Sequence, residues 1–399
     1  MNIIHIKQLV LLLLLSVCFQ ACKKENNQGT TALENKIQKN LSFEINEAIS
    51  YENVDTVFHK DRIIKLETNK NSLISTISKI EFYNNKIYAI DHFSEYSVTC
   101  FDKNGTFRFK LKKIGKGPDE YVRIDDANIN MTTGDIELLD GKKLMIFDSL
   151  GTFKKSIKLP YYAGTFCSVA GIRFFYKNFT IEERGQPGSF RLYSMNSDGV
   201  VKKYLKFDSN GMGEALIGHN NFTRVTNSEY RFNERYNDTI YKITPKGITP
   251  IYKIDFLGYE NKKPKDFLSN QAKYSNKTAF AKNMAIPKIS DFYEYDNRIV
   301  GFYDRYVQGV EGVFPYIFDK KTNKVVQNQY GNSDIGLQLY LLMPDFKMNN
   351  SPCAHIAPST IYKFIEDQKN PENKKKIKAY FDYDGNINAN PYLIIFKPI

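Results

Sequence analysis

The sequence predicts an all-β protein, a six-bladed β-propeller of four-stranded antiparallel blades. Three observations support this fold class. Residues 78–121 read as one complete four-stranded meander. Glycines that close a short polar turn after an apolar strand recur along the chain at a regular interval. Further strand-like segments lie at both ends of the sequence, where they can close a ring of blades.

The first unit shows the pattern in full. Apolar and β-branched residues alternate with polar ones in short segments, which is typical of strands in a half-buried sheet. Asn84-Asn85 supplies a tight turn between the first two segments. A second turn, ending at Gly105, lies between the last two. The four segments are residues 80–83, 86–90, 98–101 and 106–112.

The turn between the third and fourth strands recurs along the chain. Gly105, Gly151, Gly199 and Gly247 follow one another after 46, 48 and 48 residues. A period of this size that contains four strands is typical of a β-propeller. Each turn needs a residue that tolerates positive φ, which glycine does without strain. In a fifth copy, residues 322–323 (Thr-Asn) take the place of the glycine.

Five contiguous units leave a sixth to be assembled from the two ends of the chain. Pairing the last strands with the first would close the ring and remove its open edges. The expected closing strands are residues 57–66, 377–381 and 392–396. We therefore predict a signal peptide at 1–21, a flexible tether at 22–40 and the propeller at 41–399. The predicted blades are 76–121, 122–164, 165–210, 220–258, 288–330 and a shared blade from 50–75 plus 377–399.

Two stretches outside the strand pattern are expected to be helical insertions. Residues 262–285 have helical spacing and few β-branched residues. Residues 331–378 contain two helix candidates, at 337–342 and 360–378. Pro371 is expected to break the second of these, because proline removes a helical hydrogen bond and clashes with the preceding turn.

The first residues read as an export signal. Lys7 supplies the positive charge, residues 9–17 the apolar stretch, and residues 19–22 (Phe-Gln-Ala-Cys) a cleavage site that ends in cysteine. The apolar stretch is too short to be a spanning helix. A signal that ends at cysteine is similar to a bacterial lipobox, which predicts lipid attachment at Cys22 and anchoring to the membrane. A plain secretory signal is the alternative.

Charge and cysteine content restrict the function classes. The chain has 56 Lys and Arg against 44 Asp and Glu, a formal net charge of +12. Because the lysines are spread along the chain and the protein is expected to be exported, no nucleic-acid partner is predicted. Cys100, Cys167 and Cys353 lie far apart without a C-x-x-C pair, which predicts neither a zinc site nor a disulfide framework. No metal and no cofactor are expected.

Strand order predicts which loops share a face. In a four-stranded meander the first-to-second and third-to-fourth turns lie at one end, and the second-to-third loop and the link to the next blade lie at the other. We expect the ligand at the second face, because the predicted insertions and several mixed-charge loops collect there. The candidate residues are Asp91, His92, Glu95, Lys142, Glu183, Arg184, Arg235, Asp238, Arg305 and Tyr306.

Several of these candidates have a structural interpretation as well. Asp91 is preferred as the cap of a turn. Asp91, His92 and Glu95 include a single histidine, which argues against a metal site. The glycine-rich residues 115–121 lack the spacing of a phosphate loop and read as a link between blades. Cys353 and His355 are two residues apart and need not converge as nucleophile and base, so no catalytic residues are predicted.

The chain also resembles a known family. The motifs are the lipobox-like signal, LET at residues 66–68, IYAID at 87–91, GKGPDEY at 115–121 and NPYLIIF at 390–396. In combination they are similar to the six-bladed β-propeller lipoproteins of Bacteroidetes, which share a blade pattern with NHL and TolB-type propellers. The resemblance implies a propeller lipoprotein of the cell envelope, placed at the outer membrane. It implies no catalytic residues.

Two functions remain open from the sequence. The first is a binding or scaffold module that engages a glycan, a peptide or a partner protein. The second is a hydrolase or lyase that acts on an extracellular polymer, with Glu95, Glu183, Arg235 and Arg305 at the central mouth. A pair of carboxylates at catalytic separation near the axis would favour the enzyme. We prefer the binding module, because the motifs give a complete fold without a catalytic constellation.

Overall fold

The structure is a computed structural model, and it describes residues 37–44, 58–177, 190–206, 220–234, 237–257, 288–307, 310–326 and 344–399. Within these residues the strands form six sheets, each built on a four-stranded antiparallel meander. The predicted six-bladed propeller is therefore confirmed. The predicted insertion at 262–285 and the helix candidate at 337–342 lie outside the described residues, as do the signal peptide and Cys22.

Two N-terminal strands, β1 (Lys39–Glu44) and β2 (Lys60–Lys65), precede the first complete blade. Blade 1 contains β3 (Lys79–Tyr83), β4 (Lys86–Asp91), β5 (Ser97–Asp102) and β6 (Phe107–Leu111). Blade 2 contains β7 (Asp126–Ile129), β8 (Ile136–Asp140), β9 (Lys143–Phe147) and β10 (Phe153–Lys158). Blade 3 contains β11 (Thr165–Val169), β12 (Ile172–Tyr176), β13 (Phe190–Met195) and β14 (Val201–Lys206).

The remaining blades are less regular. Blade 4 contains β15 (Phe222–Thr226), β16 (Glu229–Phe232), β17 (Thr239–Thr244) and β18 (Gly247–Leu257). Blade 5 contains β19 (Lys288–Ile289), β20 (Tyr293–Glu294), β21 (Arg298–Val307), β22 (Val310–Asp319) and β23 (Lys324–Val326). Blade 6 contains β24 (Phe346–Met348), β25 (Ser351–Ile356), β26 (Tyr392–Phe396) and the N-terminal β2. Between β25 and β26 lie two helices, α1 (Pro358–Asp367) and α2 (Pro371–Phe381).

The recurring turns are built as their residue types predict. In blade 1, Asp102 Oδ1 accepts hydrogen bonds from the backbone N–H groups of Asn104 (2.8 Å) and Thr106 (3.0 Å). Gly105 then closes this turn with a φ of 89°, a conformation that side chains disfavour. Asp148 and Asn196 cap the equivalent turns of blades 2 and 3 in the same way.

The ring closes through both ends of the chain, but with different C-terminal segments from those expected. β2 pairs antiparallel with β26, so the expected pairing of first and last strands is confirmed. The strand prediction at 377–381 is wrong, because these residues belong to α2. Ile377 and Phe381 are one helical turn apart, and both are buried against Ile361 and Ile365 of α1. The second and third closing strands are instead β24 and β25.

That region also corrects the predicted helical insertion at 331–378. Its part from 346 to 356 forms β24 and β25, which are strands of blade 6. The predicted break at Pro371 is confirmed, since α1 ends at Asp367 and Pro371 begins α2. Asn370 caps α2 by accepting a hydrogen bond from the N–H of Glu372.

An additional strand was not predicted. β1 pairs in parallel with β18, the outermost strand of blade 4, so that blade has five strands. Its side chains Leu41 and Phe43 are buried between blades 4 and 5. β1 therefore continues the core between these two blades and covers the outer edge of blade 4.

Six apolar clusters fill the spaces between neighbouring blades. One lies at each of the six blade interfaces, including the closing interface between blades 6 and 1. Burial of these side chains is the main stabilising term of the fold. No helix within the described residues is long and apolar enough to cross a membrane.

Candidate functional site

The innermost strand of every blade lines the central axis, and the axis has two mouths. The first-to-second turns, among them Asn84 and Asn227, surround one end, which we call the turn mouth. The links between blades and the second-to-third loops surround the other end, which we call the link mouth. The sequence predicted a ligand at the link mouth. The larger cavity lies at the turn mouth.

Arg224 lies across the axis beneath the turn mouth. It extends from β15 in blade 4 and donates hydrogen bonds to Glu81 Oε2 (3.1 Å) and to the carbonyl oxygen of Phe82 (3.3 Å), both in β3 of blade 1. Its guanidinium group also contacts the sulfur of Met131 in blade 2. Arg224 therefore joins three blades and forms part of the floor of the cavity above it.

This cavity, the turn-mouth cleft, has a volume of about 960 Å³. Five blades contribute to it, and polar side chains converge on it from several turns. A cavity of this size is in the range of sites for small ligands. Its lining residues are Phe82, Tyr83, Asn84, Met131, Arg224, Val225, Thr226, Asn227, Glu294, Tyr295, Asp296, Lys320, Lys347, Asn349 and Asn350.

Glu294 is held as a carboxylate at the side of the cleft. It accepts hydrogen bonds from the Tyr252 hydroxyl (2.7 Å) and from Lys320 Nζ (2.8 Å), and it forms an ion pair with Arg231. Burial alone would raise the pKa of Glu294, but these cations and hydrogen bonds lower it below its ordinary value. Glu294 thus stays ionised at neutral pH and positions Lys320.

Lys347 is a half-buried cation over the face of the Tyr295 ring. Its Nζ donates a hydrogen bond to the carbonyl oxygen of Glu294 (2.7 Å) and lies 4.5 Å from the centroid of the Tyr295 ring. Burial lowers the pKa of Lys347 to about 8. The Tyr295 hydroxyl is buried and has no hydrogen-bond partner among the described residues. This hydroxyl belongs to the apolar cluster between blades 5 and 6 and is closed off from solvent, so the cleft meets Lys347 and not the hydroxyl.

The cleft carries more positive than negative charge. Three cations, Arg224, Lys320 and Lys347, line it together with the two carboxylates Glu294 and Asp296. Asp296 accepts a hydrogen bond from the Asn350 amide (3.1 Å). The arrangement suits a polar ligand with a negative group.

The link mouth has a smaller cavity of about 140 Å³. There His355 Nδ1 forms an ion pair with Asp345 Oδ2, and the Tyr293 hydroxyl donates to the carbonyl oxygen of Asp345 (2.5 Å). Burial would lower the pKa of His355, but the charge of Asp345 and its hydrogen bond raise it above the ordinary value. His355 is therefore engaged with Asp345. The Cys353 thiol is buried, and burial raises its pKa far above the usual range. Cys353 and His355 are therefore not an activated nucleophile and its base.

The candidates in the loop after β4 have structural partners. Asp91 accepts hydrogen bonds from the N–H groups of Phe93 (2.9 Å), Ser94 (2.7 Å) and Glu95 (3.2 Å), and so caps the loop. Glu95 forms ion pairs with Lys110 and Lys112. These two residues hold the loop against blade 1, and the capping interpretation of Asp91 agrees with its contacts.

His92 lies in the same loop but turns toward the axis. Its Nε2 is 3.9 Å from Asp126 Oδ1 and is buried without a hydrogen-bond partner among the described residues. Burial lowers the pKa of His92 to about 4, and the nearby Lys79 acts in the same direction, while Asp126 opposes it. The side chain is therefore neutral at pH 7.

Of the other candidates, Lys142 and Asp238 lie in different blades. Lys142 is exposed in the second-to-third turn of blade 2, and Asp238 pairs with Lys253 at 3.8 Å in blade 4. Arg305 and Tyr306 lie in β21, and nothing is described of their side chains. Glu183, Arg184 and Arg235 lie outside the described residues.

Sequence reasoning missed the residues of the turn-mouth cleft. Arg224 and Glu81 are separated by 143 positions and meet only because blades 1 and 4 face each other across the ring. One signal was available: Arg224 is a charged residue in the middle of an innermost strand, where its side chain must find a partner near the axis.

The comparisons with known proteins agree with the fold. A family model described as "Domain of unknown function (DUF4934)" matches residues 41–397. The match covers most of the chain, so the chain belongs to this family. No curated protein matches the chain.

Two solved structures illustrate the likeness. A "Putative exported protein" from Bacteroides fragilis NCTC 9343 is similar with a TM-score of 0.68 and 14% sequence identity, over 90% of this chain and 99% of that chain. A member of the DUF4221 family from Bacteroides vulgatus ATCC 8482 is similar with a TM-score of 0.54 and 12% identity, over 85% of this chain and 97% of that chain. At these identities the likeness concerns the fold alone.

Proposed function

We propose that this member of the DUF4934 family is an exported binding propeller, anchored to the outer membrane through lipid at Cys22, that takes its ligand in the turn-mouth cleft. The ligand is a glycan, a peptide or a segment of a partner protein. Export is supported by the apolar stretch at residues 9–17 and by the description of the similar Bacteroides fragilis protein as exported. The anchor is supported by the cysteine that ends the signal.

One observation carries the binding proposal. Lys347 lines a cleft of about 960 Å³, and its Nζ donates to the carbonyl oxygen of Glu294 and lies over the face of the Tyr295 ring. Side chains held by the turns of a closed ring are already ordered, so a ligand would lose little binding energy in ordering them. A bound ligand with a negative group would pair with the charge of Lys347.

The state of the cleft carboxylates favours binding over polymer cleavage. A glycosidase needs one carboxyl group with a raised pKa as general acid and a second carboxylate opposite it. The pKa of Glu294 is lowered, and its oxygens are engaged by Arg231, Lys320 and Tyr252. Glu81 is engaged by Arg224. These carboxylates serve to fix cations, which is the arrangement of a binding site.

Binding is tested on the mature chain in detergent, with a panel of glycans and peptides read by the shift in melting temperature. We expect a hit that stabilises the protein and is not consumed, and we expect Lys347→Met and Lys347→Gln each to weaken its binding at least ten-fold. Glu95→Gln, in the loop after β4, is the matched control and should bind as the unaltered chain does. A hit that is insensitive to both cleft variants but weakened by changes at the link mouth would refute the assignment of the cleft.

Anchoring is tested separately by Cys22→Ser in a bacterial host that processes lipoproteins. We expect the unaltered chain to sediment with membranes and to incorporate labelled palmitate, because the lipid contributes about 0.8 kcal/mol of transfer free energy per buried CH₂ group. The variant should do neither. Equal membrane fractions for the two chains would contradict the lipid anchor and favour a plain secretory signal.

A further inference from the structure

The rim of the turn-mouth cleft is formed largely by side-chain amides. Asn84, Asn227, Asn349 and Asn350 all line the cleft, and they lie in the first-to-second turns of blades 1, 4 and 6. Asn84 and Asn349 have positive φ values of 46° and 58°, which asparagine tolerates better than most residues. Turn geometry thus accounts for asparagine at two of the four positions but not at Asn227 or Asn350.

An amide offers both donors and an acceptor in one plane. A sugar hydroxyl likewise donates and accepts, so two neighbouring hydroxyls can pair with one amide. The Asn350 amide donates a hydrogen bond to Asp296 (3.1 Å), so this rim amide is held in position. A rim of this kind suits a ligand that is rich in hydroxyl groups.

Below the neutral asparagines of the rim, the cleft is lined by positively charged side chains. Arg224, Lys320 and Lys347 line the deeper part of the cleft. Lys320 is occupied by Glu294 and by the carbonyl oxygen of Tyr295, and Arg224 is occupied by Glu81. Lys347 donates to a neutral carbonyl oxygen, so its charge has not been neutralised by that contact. A negative group is therefore best placed beside Lys347.

We infer that the ligand of the turn-mouth cleft is an acidic carbohydrate, whose carboxylate or sulfate group meets Lys347 while its ring hydroxyls meet the rim asparagines. This inference rests on the proposed binding function and names its ligand class. The aromatic rings of Tyr83 and Phe82, which also line the cleft, give the apolar faces of a sugar ring a surface to pack on. An acidic peptide would need partners for its backbone amides, which strand edges supply better than side-chain amides do.

The test uses the mature full-length chain and isothermal titration calorimetry with matched probes. Trigalacturonic acid carries hydroxyls and carboxylates, its methyl ester keeps the hydroxyls but removes the charge, and triglutamate keeps the charge but removes the sugar. A heparin-derived tetrasaccharide tests sulfate as the source of the charge. We expect binding of trigalacturonic acid, the tetrasaccharide or both, and at least ten-fold weaker binding of the methyl ester and of triglutamate.

Variants then test the contributions of the rim and of the deeper part of the cleft to binding separately. Asn227→Ala, at an exposed turn, should weaken binding of the acidic sugar several-fold. Lys347→Met should weaken it at least ten-fold and should abolish the preference over the methyl ester. Lys103→Met removes an exposed charge from a turn on the same face of the propeller and should leave affinity unchanged. If Lys347→Met does not fold, Lys347→Gln takes its place, since it removes the charge and keeps a donor for the carbonyl oxygen of Glu294.

The remaining outcomes overturn the inference in distinct ways. Equal binding of the methyl ester would show that the charge is not recognised, and equal binding of triglutamate would show that the sugar is not. Failure of every acidic carbohydrate to bind also overturns the inference. In that case the proposed function still stands if another member of the wider panel binds and is lost in Lys347→Met, and it fails together with the inference if no ligand depends on the cleft.

Discussion

At the scale of single residues, His92 shows how burial near the axis sets a pH dependence. Burial lowers its pKa from 6.5 to about 4, so the unfolded chain binds a proton at this site more readily than the folded one. The stability that neutral His92 contributes to the folded protein is therefore fully present above pH 6.5 and is lost as the pH falls from 6.5 to 4. At about 1.4 kcal/mol per pKa unit, the loss is about 3 kcal/mol.

We expect His92→Gln to remove this loss. The charged groups that face His92 are Asp126, Lys79 and Asp91, and all three remain in the variant. Urea unfolding at pH 7 and pH 4 measures the change, and the unaltered chain should lose about 3 kcal/mol more than His92→Gln between the two pH values. Parallel pH profiles for the two proteins would show that His92 is hydrated and titrates normally.

The sequence predicts the local roles of residues better than their distant ones. The turn-capping role of Asp91 could be predicted because its partners, Phe93 and Ser94, are two and three positions away. The pairing of Arg224 with Glu81 could not, because it depends on which blades face each other in the closed ring. The contact between Lys347 and Tyr295 is hidden for a different reason, because Lys347 lies in β24, within a stretch that the sequence predicts to be a helical insertion.

At the scale of elements, two glycine turns of the same design differ in what surrounds them. Gly105 in blade 1 has a φ of 89°, and a Cβ atom there would lie 2.2 Å from the carbonyl oxygen of Lys65 in β2. Gly199 in blade 3 has a φ of 77°, and a Cβ atom there would meet nothing within 4 Å. Both positions impose the left-handed backbone, but only Gly105 also packs against the closing strand.

We therefore expect Gly105→Ala to destabilise the protein more than Gly199→Ala does. Gly199→Ala should cost about 1–2 kcal/mol, the strain of an alanine in the left-handed region. Gly105→Ala should cost about 1–3 kcal/mol more, because β2 must move to relieve an overpacked contact. Urea unfolding of both variants gives the difference, and equal losses would mean that blade 6 yields to the added methyl group without strain.

Strands that belong to the repeating glycine-turn pattern could be predicted, and short segments whose residues fit both a strand and a helix could not. The glycine turns recur and carry their own capping residues, so blades 1 to 4 are recognisable from the sequence. The segment from Ile377 to Phe381 has apolar residues at both its first and last positions, which fit a strand and a helix equally well over five residues. The segment is helical because it continues α2, which begins at Pro371 and is capped by Asn370. β1 is a single strand that pairs in parallel with a distant partner, and nothing in its own residues specifies that partner.

At the scale of the whole molecule, closure of the ring explains why the blade count could be predicted although the closing segments were partly wrong. An open propeller would expose one strand edge and one apolar blade face. A sixth blade assembled from the two ends of the chain covers both, so five complete units with strand material at both ends predict six blades. Which C-terminal segments do so depends on packing against α1 and α2, since both helices share an apolar cluster with blades 5 and 6.

Closure also predicts unequal effects of two N-terminal truncations. A chain that begins at residue 58 lacks β1 but keeps β2, whereas a chain that begins at residue 67 lacks both. The first should remain a monomer that unfolds in one transition at a lowered temperature, because it loses the buried Leu41 and Phe43 but keeps the ring closed. The second should also lose the buried Ile64 and Leu66, each worth about 1.5–3 kcal/mol, and should expose the edge of β26, which favours association between chains. Calorimetry and light scattering distinguish these states. If the chain that begins at residue 67 stays monomeric with a single transition at the same temperature as the longer one, β2 does not hold the ring closed.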